Sequence, residues 1–455
     1  MEELVIVSPS LVQRYGGPGP RYTSYPTADR FSDGFRELEY RNALERNRDR
    51  GRDQPVSVYL HVPFCPSGCW YCACNKVVTR HRPTIDRYLA TLHREVESAT
   101  AHLDRHRPIG DLHLGGGTPT TLGPDGIEAW LETINTFFRP GSADGFEASI
   151  EVDPRESPPG LVTTLRQLGF DRISLGVQDF DPRVQAGIHR VQPIERTEAV
   201  VEEARAVGFS SVGFDLVYGL PHQRPASFQG TLDEVIRLGP DRLSVFRYAH
   251  LPARFPAQRK IDASALPSPQ TCLKLFADAV ERLTSAGYVH IGMDHFARAN
   301  DGLARAQGDG TLHRNFMGYT TRAARDVIAF GVTGISCVDD VYAQNVGRLS
   351  RYQALVESGR LPIERGTRLT PDDRRRRRII DALMCRSSVD LDTEGGGADR
   401  FRTEFEALVD FERDGLLRRD GPRITLTDLG RLFVRAVCRV FDRYASGASK
   451  HSRVA

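Results

Sequence analysis

Six short β-rich runs are spaced along the chain: VSVYLHVPF (56–64), DLHLGGG (111–117), FEASIEVD (146–153), DRISLGVQ (171–178), SVGFDLVYGL (211–220) and DRLSVFRYAH (241–250). Between them lie amphipathic stretches such as 85–99 and 196–209, whose apolar residues recur at helical spacing. This alternation predicts an α/β fold on a parallel sheet, doubly wound or curled into a full or partial barrel. Every run closes on a polar or glycine-rich stretch. Cysteines follow the first and GGGTPT the second; Glu151, Gln178 and Asp215 sit in the next three, and Tyr248 and Ala249 in the sixth. Barrels of this type carry their active sites at that end of the strands.

The 455 residues suggest two or three domains. Residues 1–55, rich in Gly, Pro and Tyr around RYGGPGPRYTSYPTADRF, read as an irregular arm; 56–365 hold the βα units; 366–455 read as a mainly helical C-terminal domain with a β-turn-β suggestion at Asp420 and Gly421. With 61 basic and 59 acidic side chains the net charge is +2, so nothing demands nucleic acid as a partner. The run Arg374 to Arg378 reads as a solvated helix face paired to Asp372 and Asp373. No apolar run approaches the roughly 18 residues of a membrane span, and MEELVIVSPS has acids where a signal peptide is positive. A cytoplasmic, reducing environment and a monomer are expected.

Four of the eight cysteines fall in FCPSGCWYCACNK (64–76), as Cys65-x3-Cys69-x2-Cys72-x-Cys74. Structural zinc sites usually show two C-x2-4-C pairs a dozen or more residues apart, and that separation is absent. Three thiolates at x3 and x2 spacing suit three corners of a cubane iron-sulfur cluster, with the fourth iron free to bind a small molecule. Cys74, one residue beyond Cys72, is expected beside the ligands, and Trp70 and Tyr71 are expected to shield them from water. The glycines of GGGTPT are expected to let backbone amides approach a charged ligand.

Cys-x3-Cys-x2-Cys at the end of a first strand resembles the radical SAM enzymes, in which S-adenosylmethionine (SAM) binds the open iron and is split to a 5'-deoxyadenosyl radical. RYTSYPTADRF, YLHVPFC, CNKVVTR, GGGTPT, EVDPRE, GVQDF, DLVYGLPHQ, MDHFA, LHRNF, GYTT and YAQN extend the resemblance over nearly the whole chain. Together they are similar to the oxygen-independent coproporphyrinogen III oxidases. The resemblance implies a partial (βα)6 TIM-like radical SAM barrel. It also implies decarboxylation of two propionates of coproporphyrinogen III to vinyl groups, giving protoporphyrinogen IX in heme synthesis. It implies a 4Fe-4S cluster on Cys65, Cys69 and Cys72, and two SAM molecules per turnover near Tyr59, Tyr71, Gly116, Gly117, Thr118, Glu151, Gln178, Arg190, Asp215, Ala249 and Ile335. Tyr59, Phe316 and Met317 are the implied catalytic residues, and an electron donor and acceptor, both unidentified, are implied partners. Of these, Arg190 is suited to fork onto a carboxylate. The arm's Tyr22 and Tyr25 offer a lid, with plain packing against the barrel as the alternative.

The family reads Arg-Asn-Phe-Gln-Gly-Tyr-Thr-Thr where this chain has RNFMGYTT, with Met317 in place of the glutamine. Methionine keeps length and flexibility but loses both hydrogen-bonding groups. Rival outcomes are a related radical SAM reaction (methyl transfer, cyclopropanation or heme opening), a heme-binding chaperone that keeps the cluster, and a structural zinc protein.

Overall fold

The computed structural model describes residues 9–17, 19–50, 54–104, 107–140, 146–322 and 326–445. The opening MEELVIVS of the arm lies outside the described residues. All six runs form strands: β1 (Val56–Val62), β2 (Pro108–Gly116), β3 (Glu147–Val152), β4 (Arg172–Gln178), β5 (Ser211–Tyr218) and β6 (Arg242–Arg247). They pair in parallel and in sequence order. Helices α1 (Arg82–Thr100), α2 (Gly123–Phe137), α3 (Leu161–Gln167), α4 (Ile194–Ala206) and α5 (Pro225–Leu238) follow the first five strands. In α1, Ile85, Tyr88, Leu92, Val96 and Ala99 are buried at three- and four-residue spacing, which gives the helix one apolar face for the core. Gly239, with φ +61°, ends α5 in the left-handed conformation that glycine adopts without a Cβ clash.

Alternation along the strands separates two environments. Val58, Leu60, Leu112, Leu114, Ile150, Leu175, Phe214, Leu216 and Val245 belong to the main core. The alternate positions, His113, Ser149, Glu151, Ser174, Gly213, Asp215 and Ser244, line an interior cavity instead. A closed barrel fills this space with branched apolar side chains; here these side chains face an open cavity.

The barrel stays open because β1 and β6 are not neighbours in the 13-stranded sheet. Strands β7 (Tyr288–Gly292) and β8 (His295–Arg298) add an antiparallel hairpin to the edge of β6. A short hairpin, β9 (His313–Asn315) with β10 (Gly318–Thr320), stands apart from the large sheet. On the other edge β11 (Val327–Phe330) lies parallel to β1, followed by antiparallel β12 (Ile335–Val338), β13 (Val341–Asn345) and β14 (Ile363–Arg368). Beyond the six runs, the parallel part of the sheet gains β11 and the two-residue strand Arg139–Pro140 beside β2.

The arm and the C-terminal segment meet in a second core. After the helix α6 (Pro371–Arg386), Leu417–Asp420 and Arg423–Leu426 form the expected hairpin, with Gly421 at φ +54° in its turn, and Ser388–Asp390 adds a third strand. Tyr22 and Tyr25 are buried in this core; the Tyr22 hydroxyl donates to Asp442 Oδ2 at 3.1 Å, and the Tyr25 ring packs 6.0 Å from Tyr444. Packing, not a lid, is what the structure gives these tyrosines. The irregular reading of the arm also needs correction, because Glu37–Arg50 is a helix. Its buried residues Tyr40, Ala43, Leu44 and Asn47 follow a helical spacing that the surrounding charges obscure. Nor is the arginine run a solvated face throughout. Arg376 binds Asp372, Glu404 and the Phe441 carbonyl, while Arg377 lies over the Tyr342 ring. Asp373 caps the helix through Thr370 and pairs with none of the run.

Candidate active site at the strand ends

Backbone hydrogen bonds fix the cysteine loop before any side chain is considered. After β1, Phe64 and Cys65 pair in parallel with Val77 and Val78, and Thr79 N donates to Cys65 O at 3.0 Å. From the β2 loop, Gly117 N donates to Val62 O at 2.7 Å and Thr118 N to Phe64 O at 2.7 Å. A Cβ on Gly117 would stand 2.6 Å from Phe64 O and 3.0 Å from Cys65 Sγ, so only glycine fits there. The Gly116 amide donates to Glu151 Oε2 at 3.1 Å. Two amides of the triplet are thus engaged by the protein itself. The glycines serve the close approach of two loops, where the sequence suggested amides held open for a ligand.

The four cysteines of the loop are free; Cys65 and Cys69 are buried, Cys72 half-buried and Cys74 exposed. Cys65, Cys69 and Cys72 line one cavity of ≈590 Å3 together with Tyr71, Gly116, Gly117, Thr118, Glu151, Gln178, Arg190, Asp215, Ala249 and Met317. The Cys72 thiol is drawn down to about 5, first by the hydrogen bond from Cys74, whose own pKa is pushed well above the usual thiol range. The Cys74 amide donates to Cys72 Sγ at 3.4 Å, which fits a place beside the ligands. Burial pushes Cys65 up to about 11. Cys69 accepts from Arg155 Nη2 at 3.4 Å and Arg190 Nη1 at 3.6 Å. Among the described residues no group of three His, Cys, Asp or Glu is drawn together around a single metal ion. Three sulfurs spread around a cavity, backed by N–H donors, suit the larger body of an iron-sulfur cluster.

Charged groups above the cysteines are paired. Arg190 forks onto Asp153 through two 3.1 Å hydrogen bonds, and Arg155 reaches the same carboxylate at 2.7 Å. The fork expected to face a ligand is thus closed on the protein, with Nη1 also turned to Cys69. Burial alone would raise Glu151, but His113 (Nε2 to Oε1, 3.5 Å) and the Gly116 amide hold it below the usual carboxylate range. Asp215 is pushed up to about 6 by burial and by Glu151, and accepts from Ser174 Oγ at 3.3 Å. Gln178 sits at a bulge of β4 with φ +68°, a strained conformation of the kind that collects at binding sites. Gln258, fully buried, donates to Tyr71 O at 2.9 Å and Ala249 O at 3.2 Å, and so clamps the loop after β6 to the cysteine loop.

The matches to known proteins follow this geometry. Residues 59–235 match the model of the radical SAM superfamily, and 369–433 that of the HemN C-terminal domain. The oxygen-independent coproporphyrinogen III oxidase of Pseudomonas aeruginosa is 47% identical over 441 residues, 95% of each chain. Its Escherichia coli counterpart is 44% identical over 441 residues, 96% of this chain and 95% of the relative. The chain belongs to the oxygen-independent coproporphyrinogen III oxidase family. The solved E. coli coproporphyrinogen III oxidase, HemN, superposes with a TM-score of 0.90 at 42% identity, covering 97% of this chain and all of that one (100%).

Beside the large cavity this family member has a smaller one, of ≈250 Å3. It is lined by Tyr59, His61, His113, Glu151, Phe316, Met317, Val327, Thr333 and Ile335, so His113, Glu151 and Met317 border both. Tyr59 stacks on His113 with ring centroids 5.8 Å apart, and its hydroxyl lies 3.2 Å from His61 Nδ1. His61 Nε2 lies 3.1 Å from the Asn75 carbonyl, so Nε2 carries the proton and Nδ1 accepts from Tyr59; burial lowers the pKa of this ring. Met317 follows β9, its amide donating to Asn315 Oδ1 at 2.8 Å.

All the residues that the resemblance implied therefore border one or other cavity. Sequence reasoning assigned no role to His61, His113, Asp153, Arg155 and Gln258. Strand alternation was the available signal for two of these: His61 lies two residues from Tyr59 on β1, and His113 stands opposite Tyr59 in register.

Proposed function

We propose that this chain catalyses the oxygen-independent decarboxylation of two propionates of coproporphyrinogen III to vinyl groups, giving protoporphyrinogen IX. The single observation that carries it is the trio of free cysteines, at C-x3-C-x2-C spacing, opening into the ≈590 Å3 cavity. The near full-length likeness to enzymes of that name supports it, and favours neither a different radical SAM outcome nor a heme chaperone.

Cys65, Cys69 and Cys72 would hold a 4Fe-4S cluster, which together with SAM would supply the radical chemistry of the reaction. The chain's own groups do the rest. Arg155 and Arg190 offset negative charge at Cys69, and Cys74 does so at Cys72. Glu151, held ionised, accepts from an ammonium or a ribose diol, and Asp215 offers a second acceptor. Tyr71, held by Gln258, covers the cysteines from the side of β6. A second SAM occupies the smaller cavity, with Tyr59, Phe316 and Ile335 around it and Met317 at the border between the two. The thioether gives that second molecule contact area without hydrogen bonds. The enzyme works as a cytoplasmic monomer with an external electron donor and acceptor. Free buried thiols suit a reducing compartment.

The test is an anaerobic assay of reconstituted protein with SAM, reductant and coproporphyrinogen III. Protoporphyrinogen IX and 5'-deoxyadenosine are expected together; deoxyadenosine with no decarboxylated product would refute the substrate assignment.

A further inference from the structure

Arginines line the large cavity at five places, and four of them are spoken for. Arg155 and Arg190 bind Asp153, Arg172 binds Glu147, and Arg242 binds Asp301. Arg247, the last residue of β6, is different. Among the described residues its side chain forms no hydrogen bond and no ion pair, and its Nη1 is buried without a partner. A guanidinium stays charged in proteins, so a buried N–H left without an acceptor is costly. Nor does a nearby carboxylate answer it. Asp294, which shares the neighbourhood of Tyr218 with Arg247, is taken by both Nη groups of Arg21 and by His295. Arg435 adds a further positive charge to that neighbourhood. The wall of the cavity at the end of β6 therefore carries cationic charge with one fork open.

We propose that Arg247 anchors a carboxylate of the substrate, forking onto a propionate other than the one being oxidised. The inference rests on the functional reading above and deepens it. Coproporphyrinogen III carries four propionates, and those not reacting need partners inside a cavity whose other guanidiniums are engaged. A carboxylate of SAM is the other source of the same chemistry. In the proposed reading SAM would be held by the cysteine loop, and the KM for SAM separates the two sources.

Arg247→Gln and Arg247→Lys, each reconstituted with its cluster, test this. Binding of coproporphyrin III, the stable oxidised analogue, is read by fluorescence beside its tetramethyl ester; KM values for coproporphyrinogen III and SAM and substrate-free SAM cleavage are measured in parallel. Losing one charge-assisted fork is expected to weaken binding of the free acid by roughly ten- to hundredfold with Arg247→Gln. Arg247→Lys, which keeps the charge and loses the fork, is expected to fall between Arg247→Gln and the wild type, with ester binding and SAM cleavage unchanged. Equal loss for acid and ester, or a raised KM for SAM with unchanged porphyrin binding, would overturn the proposal. Arg247-dependent binding of the free acid in a protein that makes no protoporphyrinogen would uphold the anchor and refute the reaction.

Discussion

The large cavity and the small one share His113, Glu151 and Met317, yet they are built by different means. The large one is held by main-chain hydrogen bonds between the β1 and β2 loops and by buried ion pairs around Cys69. The small one is closed by side chains from the added strand β11, from β12 and from the β9–β10 turn, with Val327, Ile335, Phe316 and Met317 as its apolar wall. A backbone-built site has no slack, whereas a side-chain wall repacks. On that difference a change at Met317 is expected to be tolerated better than one in the cysteine loop.

The comparison breaks most readily at Gly117. Gly117→Ala drives a Cβ against a backbone carbonyl and Cys65 Sγ. Overpacking of this kind costs roughly 1–3 kcal/mol. Iron per chain after reconstitution is expected to fall well below wild type, with SAM cleavage falling in step. Full iron content in this variant would show the loop to be softer than described.

Next in size is the support behind the small cavity. The turn that carries Thr333 is held by Glu95, fully buried on α1, which accepts from Gly331 N at 2.8 Å, Asn345 Nδ2 at 2.6 Å and the Tyr352 hydroxyl. Burial pushes Glu95 up to about 7, so between its ordinary value and 7 the folded chain holds a proton that the unfolded chain has lost. Stability contributed here is therefore complete below the ordinary carboxylate range and is lost as pH rises through about 7. The span corresponds to roughly 3 kcal/mol. Glu95→Gln is expected to flatten the decline of the denaturation midpoint between about pH 5 and 8; an unchanged slope would remove Glu95 as its source.

The smallest effect is expected at the wall itself. Met317→Gln restores both hydrogen-bonding groups, and one neutral hydrogen bond from either is worth roughly 0.5–1.5 kcal/mol. It should tighten apparent SAM affinity by at most roughly tenfold, measured as the KM for SAM at saturating coproporphyrinogen III. No change, or a weakened KM, would place the second SAM elsewhere.

The same division governs what the sequence discloses. The cysteine loop and the strand ends are local patterns, so their chemistry shows in a few consecutive residues, and the βα alternation predicts the parallel sheet. What is hidden depends on partners far along the chain. Arg155 and Arg190 meet Cys69 across 86 and 121 residues, and Gln258 reaches Tyr71 across 187. Strand β11 is four residues long, too short for its period to identify it, and its place beside β1 is set by tertiary pairing. Tyr22 and Tyr25 looked like lid residues because the C-terminal core that buries them is remote in sequence.

The central claim is that Cys65, Cys69 and Cys72 hold a cluster while Cys74 only supports it. Iron and sulfide per chain, measured after anaerobic reconstitution of the four single alanine variants, test it directly. The account predicts that Cys65→Ala, Cys69→Ala and Cys72→Ala lose the cluster and SAM cleavage together, while Cys74→Ala retains iron and sulfide. Loss of the cluster in Cys74→Ala to the same extent, or its retention in any of the other three, would contradict it.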